Sequence, residues 1–456
     1  MTLSFDRAAE ATGAEVRGRE RAPQTLTVVT DTRSLNPGDT FLALRGEQFD
    51  GHDFIGEALK KGAAAVVVDS PQAQSDGAAA LIVRDTRRAY MDLAAAARAQ
   101  FAGRVVAVTG SSGKTTTKDF LCQLLVATLG PSAVAASPGN ENNEIGVSKL
   151  LLAATPQQQM LIVEMGARHA GEIAELVAIA SPHIGILTNI GDAHLEIFGS
   201  RERLAATKWG LFSEGAQAVL NARDEISRNR ASSLTAPPLW FGEGEPSLPG
   251  VWVRDEGTLV LNYGGASQTL SIRTPFPGAH NRANLAAAIA GALLLGVNAE
   301  EIAGNVGGLV LPPGRYENIA LPAGPRLIYD AYNANASGTI ASLTTFSSEN
   351  ARRRIAVLSS MAELGADAPA IHERVGAHAA AINIDVLLVG GDFAASLAAG
   401  AVRAGFSREN IVTFGENEEA AEWLRKNATD QDVVLLKGSR KYRMEEIVQS
   451  LRAGAA

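Results

Sequence analysis

The stretch Thr109-Gly110-Ser111-Ser112-Gly113-Lys114-Thr115-Thr116 has residue types and spacing that point to chemistry. Two glycines three apart let several backbone N–H groups turn toward one point, and a lysine follows the second. An apolar run over 105–108 comes before it, and an apolar-periodic segment through Phe120, Leu121, Leu124 and Leu125 comes after. The order is therefore strand, glycine-rich turn, helix, the setting of a phosphate-binding loop. A polyphosphate would meet inward N–H groups, the positive end of a helix dipole and the Lys114 ammonium, while the Thr115 hydroxyl would hold Mg²⁺. The longer G-x-x-x-x-G-K-[ST] pattern has glycine where this chain has Val108, so the loop is the short form G-x-x-G-K-T-T. The plainer reading is a strand–helix turn with a surface lysine.

Other candidates sit where strands should end. Glu164 follows the apolar run 160–163, and a carboxylate at the tip of a parallel strand beside a phosphate loop suits Mg²⁺. The polar segment 137–146, with Asn142 and Asn143, reads as a substrate lip or as a solvated turn. Asp192, His194 and Glu196 follow a strand at 184–189, and Lys208 lies on a helix starting at Ser200. Asn281 and Asn284 share a helix face, though Asn281 could equally be a cap. Asp330, Asn333 and Asn335 follow a strand at 326–329. Asp31, Thr32, Arg33, Arg45 and Gly46 lie at strand ends in the first hundred residues, where turn chemistry would also explain them.

These groups need a scaffold of some size. At 456 residues with 46% apolar content, the chain predicts two to four α/β domains. We divide it at 1–102, 103–312 and 313–456. The first is a small α/β unit with strands at 25–29, 41–44, 64–68 and 81–83, ending in an Ala-rich helix at 90–102. The second is a phosphate-loop domain with a mainly parallel sheet plus a small antiparallel meander at 239–273. The third alternates strands and helices as a Rossmann-like sheet does. A net charge of −8 argues against a nucleic-acid-binding surface. The single cysteine, Cys122, excludes a disulfide framework. With neither a signal-peptide core nor a membrane-length apolar run, the expectation is a cytoplasmic protein without membrane insertion.

The order of the motifs is more specific than any one of them. TGSSGKTT, NNEIG, VEMG, TNIGDAHLE with Lys208 beyond it, HNRAN, PGRYE, DAYNAN, MAELG and KGSR together resemble the Mur ligase family of peptidoglycan synthesis, over essentially the whole chain. The DTR…PGDTFLALRGEQFDGHDF segment is most similar to members that join D-alanyl-D-alanine to UDP-N-acetylmuramoyl-tripeptide. The resemblance implies a ligase, acting as a monomer, that uses ATP and two Mg²⁺ ions to make an amide through an acyl phosphate. It implies that Gly110 to Thr116 hold the phosphates, with Thr115 and Glu164 on one Mg²⁺. His194 and a carbamylated Lys208 would serve the other. Asn281 and Asn284 would face adenine, Arg315 the phosphates and Asp330 the ribose. Asp31, Thr32, Arg33, Arg45 and Gly46 would lie near the UDP group, and Asn142, Asn143, Asn333 and Asn335 near the peptide substrates. Three local differences from the family pattern stand out: Trp209-Gly210 after Lys208, Ala336-Ser337-Gly338 after DAYNAN, and Ser359-Ser360 before MAELG. The residues leave three alternatives: a folylpolyglutamate-synthetase-like ligase, a Mur ligase adding the third peptide residue, and a phosphate-loop switch that only hydrolyses nucleotide.

Overall fold

The computed structural model describes residues 3–46, 49–70, 78–191, 195–321 and 324–453. Within them, a two-stranded pairing of Leu3–Ser4 with Thr25–Leu26 is followed by three larger sheets that succeed one another along the chain, their central strands short apolar runs buried on both faces.

The first sheet has five strands in the order Glu15–Arg17, Ala79–Ile82, Ala65–Val68, Thr40–Leu42, Val28–Val29, with only Glu15–Arg17 antiparallel. Its closing helix, Thr86–Gln100, starts four residues earlier than the Ala-rich run suggests, because Asp85 accepts from Arg88 N at 2.8 Å and caps it. This helix serves two cores. Tyr90, Leu93 and Ala97 pack on the small sheet, while Met91 and Ala94 join the core of the next one. Arg98 ties it down by donating to the Ala180 and Ser181 carbonyls at 2.7 and 2.9 Å.

The central sheet has nine strands. Arg104–Thr109 lies third from one edge, with Met160–Glu164 on one side and Ile184–Leu187 on the other, all parallel. The chain thus leaves its first strand, pairs to one side, then returns to the other. Such a topological switch point opens a crevice at the strands' carboxyl ends, where the phosphate loop sits. The helix after the loop, Lys114–Leu129, buries Phe120, Leu121, Leu124 and Leu125 against the small-residue helix Ala279–Leu294. Phe120 stacks on Phe276 with ring centroids 4.6 Å apart.

The meander over 239–273 is only partly antiparallel. Leu239–Glu243 and Gly250–Val253 extend the central sheet in parallel, and only Thr258–Tyr263 and Ala266–Ser271 turn back as hairpins. Glycine-rich spacing marks turns but carries no sign for strand direction. Trp240 and Trp252 can therefore be assigned to strands from the sequence but not to a register.

The third sheet runs Glu317–Ile319, Arg326–Tyr329, Val433–Lys437, Arg354–Ser359, Val386–Gly390, Ile411–Phe414, parallel except for the first strand. Its strand ends deliver Asp330, Lys437 and Ser359 to one edge. Among the described residues no helix is long and apolar enough to cross a membrane.

Phe120 tests this packing. Phe120→Ala should destabilise the central unit by about 3–5 kcal/mol, seen as a lowered midpoint of its denaturant unfolding transition with unchanged far-UV circular dichroism before the transition.

Candidate active site

The phosphate loop is held in shape by the turn after Ile184–Leu187. Ser111 N donates to the Asn189 carbonyl at 2.9 Å, and Ser112 N to Asn189 Oδ1 at 3.1 Å. Thr188 Oγ1 donates to the Ser112 carbonyl at 2.6 Å, and Gly191 N to Ser111 Oγ at 2.9 Å. Both loop glycines are required by space. A Cβ on Gly110 would fall 1.8 Å from Thr188 Oγ1, and one on Gly113, whose φ is +79°, would fall 2.3 Å from Asn284 Oδ1. With Ser111 N and Ser112 N spent on Asn189, the N–H groups that lack an acceptor within the helix are those of the first turn of the sixteen-residue helix beginning at Lys114, the end that an anion seeks.

Two lysines meet at this loop. Lys114 Nζ and Lys208 Nζ both donate to the Gly110 carbonyl, at 2.8 and 3.1 Å. Burial, and then the neighbouring Lys114, push the pKa of Lys208 well below the usual lysine value. Burial also lowers that of Lys114, with Glu164 opposing and Arg315 adding to the effect. Glu164 is buried at the end of its strand. Its Oε1 accepts from Asn142 Nδ2 at 2.9 Å, and its Oε2 has no hydrogen-bond partner. An orphaned carboxylate oxygen at the end of the strand paired with the phosphate-loop strand fits Mg²⁺ shared with phosphate oxygens.

The third sheet faces the loop. Asp330 and Lys437 form a buried ion pair at 2.9 Å, and Asp330 also accepts from Tyr316 N at 3.2 Å. Burial pushes the Asp330 carboxyl upward, but Lys437 outweighs it and leaves the group below the ordinary aspartate value. Arg315 lies over the Tyr332 ring at 4.6 Å from its centroid, and Arg440 at 5.4 Å. Asn335 Nδ2 reaches the Ser111 carbonyl at 3.4 Å, across from one sheet to the other.

Between them lie two adjoining cavities that share Ser112, Gly113, Arg315, Gly338 and Lys437. One, of about 420 Å³, is lined by Asn281, Asn284, His280, Phe241, Asn189 and Asp330. The other, of about 350 Å³, is lined by Lys114, Thr115, Asn333, Asn335, Arg168 and Arg440. A chain of net charge −8 has gathered its cations here.

Some candidates do local work. Gly278, not Asn281, is the cap residue of its helix, and Asn281 Nδ2 donates to the Pro277 carbonyl at 2.9 Å. Asn142 spends its amide on Glu164, and Asn143 caps the helix Glu144–Ala153 by accepting from Gly146 N. Asn335 also caps the helix Ala336–Phe346. Asp31, Thr32 and Arg33 form a turn in which Arg33 donates to Asp31 and holds its carboxyl at about 2. Arg45 pairs with Asp69 at 2.7 Å, and Gly46 N donates to the Phe49 carbonyl at 2.8 Å. Asp192 and His194 lie outside the described residues. Sequence reasoning missed Thr188, Asn189, His280, Tyr316 and Lys437 as site residues. Their motifs, TNIG, HNRAN, PGRYE and KGSR, are visible in the chain, but nothing in them says which residue turns inward.

Comparison with known proteins agrees with this construction. Three family descriptions match in succession: "Mur ligase family, catalytic domain" at 24–100, "Mur ligase middle domain" at 108–292, and "Mur ligase, glutamate ligase domain" at 314–440. The Escherichia coli (strain K12) UDP-N-acetylmuramoyl-tripeptide--D-alanyl-D-alanine ligase is 36% identical over 436 residues, 93% of each chain. The chain belongs to the Mur ligase family. A crystal structure of MurF from Acinetobacter baumannii superposes on this Mur ligase with a TM-score of 0.87 at 29% identity, covering 99% of both chains. MurF from Thermotoga maritima in complex with ADP superposes at 0.80 with 29% identity, covering 93% of this chain and 97% of its own.

The nucleotide-sized cavity has a built-in pH dependence. Burial first, then Lys437 and Arg282 against an opposing Asp330, lower His280 from 6.5 to about 4. Between those values the unfolded chain binds more protons, so the contribution of His280 to stability is intact above pH 6.5 and is lost toward pH 4. His280→Gln should flatten that limb of a stability–pH profile measured by denaturant titration.

Proposed function

We infer that this chain is an ATP-dependent ligase that joins D-alanyl-D-alanine to UDP-N-acetylmuramoyl-tripeptide, the precursor step its 36%-identical relative is named for. The observation that carries the reaction class is the two-sided cleft. A phosphate loop and the unpartnered Glu164 oxygen come from one sheet, and Arg315, Asp330 and Lys437 from another. A switch that only hydrolyses nucleotide would not need a second sheet to close over the phosphates. A folylpolyglutamate-type ligase would not need the five-stranded sheet before residue 103.

In this reading residues 1–102 take the UDP-sugar, 103–312 bind ATP and 313–456 close over it. The tripeptide carboxylate attacks the γ-phosphorus of ATP, ADP departs and an acyl phosphate forms. The amine of D-alanyl-D-alanine then attacks the acyl carbon, inorganic phosphate leaves and the amine proton is lost. The loop amides and Lys114 hold the transferring phosphoryl group in line, and Arg315 adds positive charge from the opposite side. Mg²⁺ would neutralise charge on the phosphates, held by Thr115 and Glu164. Asn281 and Asn284 line the cavity sized for adenine, with Asp330 toward the ribose. Closure of the third sheet over the loop would keep water from the acyl phosphate.

Phosphate release decides between ligase and switch. It should stay near background with ATP and either substrate alone, and rise only when UDP-N-acetylmuramoyl-tripeptide and D-alanyl-D-alanine are both present. Substrate-independent release at full rate would favour the switch.

Lys208 is read as carbamylated. Carbamylation consumes a neutral amine and CO₂ and releases one proton, and burial with Lys114 alongside shifts Lys208 in the direction of the neutral amine. The product is an oxygen donor suited to a second Mg²⁺. Lys208→Ala should lose most activity and regain part of it with added short carboxylates. Full activity without additive would end this assignment.

A further inference from the structure

One buried lysine next to the phosphate loop has no part in the chemistry above. Lys118 lies one turn beyond Lys114 and Thr115 on the loop helix, and its relative exposure is 1%. Its ammonium has three N–H donors, and three oxygens meet them: the Ser137 carbonyl at 2.8 Å, the Gly139 carbonyl at 3.2 Å and Asp119 Oδ1 at 3.0 Å. Burying a charge this completely is costly, and an apolar residue would fill the space as well. What the charge holds explains its presence.

The residues it grips lead to Glu164. Ser137 Oγ accepts from the Glu164 backbone N–H at 3.0 Å, and Ser137 N donates to the Ile162 carbonyl at 2.9 Å. A few residues on, Asn142 donates to Glu164 Oε1 at 2.9 Å, while its carbonyl accepts from Gly166 N at 2.8 Å. The loop from Ser137 to Asn142 thus clasps Glu164 by backbone and by side chain. It leaves Oε2 as the one carboxylate oxygen with no hydrogen bond. The same helix that offers Thr115 to the site therefore also anchors, through Lys118, the mount of the carboxylate that must act with it.

We propose that Lys118, acting through Ser137, is a positioning residue that sets Glu164 at metal-binding distance from Thr115. The proposal rests on the reading of Glu164 as a Mg²⁺ ligand. Neighbours that orient a ligand without touching the metal typically carry about 10–100-fold in metal affinity.

The test is Mn²⁺ titrated into the full-length protein saturated with ADP, followed by loss of the free-Mn²⁺ electron paramagnetic resonance signal. ADP affinity in the absence of metal is measured in parallel. Lys118→Met and Ser137→Ala should each weaken Mn²⁺ binding by about 10-fold or more while metal-free ADP affinity stays unchanged. Wild-type Mn²⁺ affinity in both variants would overturn the proposal, and so would an equal loss of ADP and Mn²⁺ binding, the mark of general loop damage. If Lys118→Met does not fold, Ser137→Ala alone decides the matter, because it cuts the link to Glu164 without stranding a charge. Glu164→Gln separates the two assignments. If it keeps wild-type Mn²⁺ affinity, the metal assignment itself fails; if it loses affinity while the other two variants do not, only the positioning role fails.

Discussion

Two lysine side chains end on one acceptor, the Gly110 carbonyl, and much of the site follows from that convergence. A carbonyl oxygen has two lone pairs and can satisfy both donors, but it cannot neutralise two charges in a buried place. Three features bear on that excess. Lys208 is pushed toward its neutral form, Glu164 stands nearby with one oxygen unbonded, and the first turn of the helix beginning at Lys114 turns its positive end toward the loop. A polyphosphate completes an arrangement that the protein alone leaves electrically unfinished.

That arrangement holds only because two sheets bring their strand ends together. The central sheet supplies the loop at its switch point, and the third sheet supplies Asp330, Lys437 and the Arg315 turn. Tyr316 takes a left-handed φ of +51° there and is fixed by its N–H bond to Asp330. The polar links between the sheets at the site are long, at 3.4 Å for Asn335 to Ser111 and 3.4 Å for Thr345 to His280. Within each half the polar contacts are shorter, such as 2.9 Å for Asp330 to Lys437 and 2.6 Å for Thr188 to Ser112. A join made by long links suits a site that must admit two large substrates and then exclude water.

Much of the fold was legible because buried parallel strands are unmistakable as short runs of valine, isoleucine and leucine. The runs 105–108, 160–163, 355–358 and 433–436 all became strands within a residue or so of their apolar limits. The helix caps were less legible. Asn143, Asn281 and Asn335 carry the same side-chain amide, yet one caps, one sits inside the first turn, and one caps while reaching the phosphate loop. The strand at 239–243 could be placed but not its direction, because pairing partners are chosen by the sheet and not by the strand.

The sequence by itself determined the phosphate loop, the residues at strand tips and the alternation of strand and helix. These depend on contacts between near neighbours: glycine at a tight turn, lysine at a helix start, β-branched runs in a buried sheet. Only the tertiary structure decided which side chains share an atom. Lys208 reaches the Gly110 carbonyl from 98 positions away, and Asn142 reaches Glu164 across 22. Lys118 is buried by the Ser137 and Gly139 carbonyls, which close on it from 19 and 21 positions along the chain. The physical reason is that burial and electrostatic coupling depend on distance in space, and spacing along the chain does not encode it between separate elements.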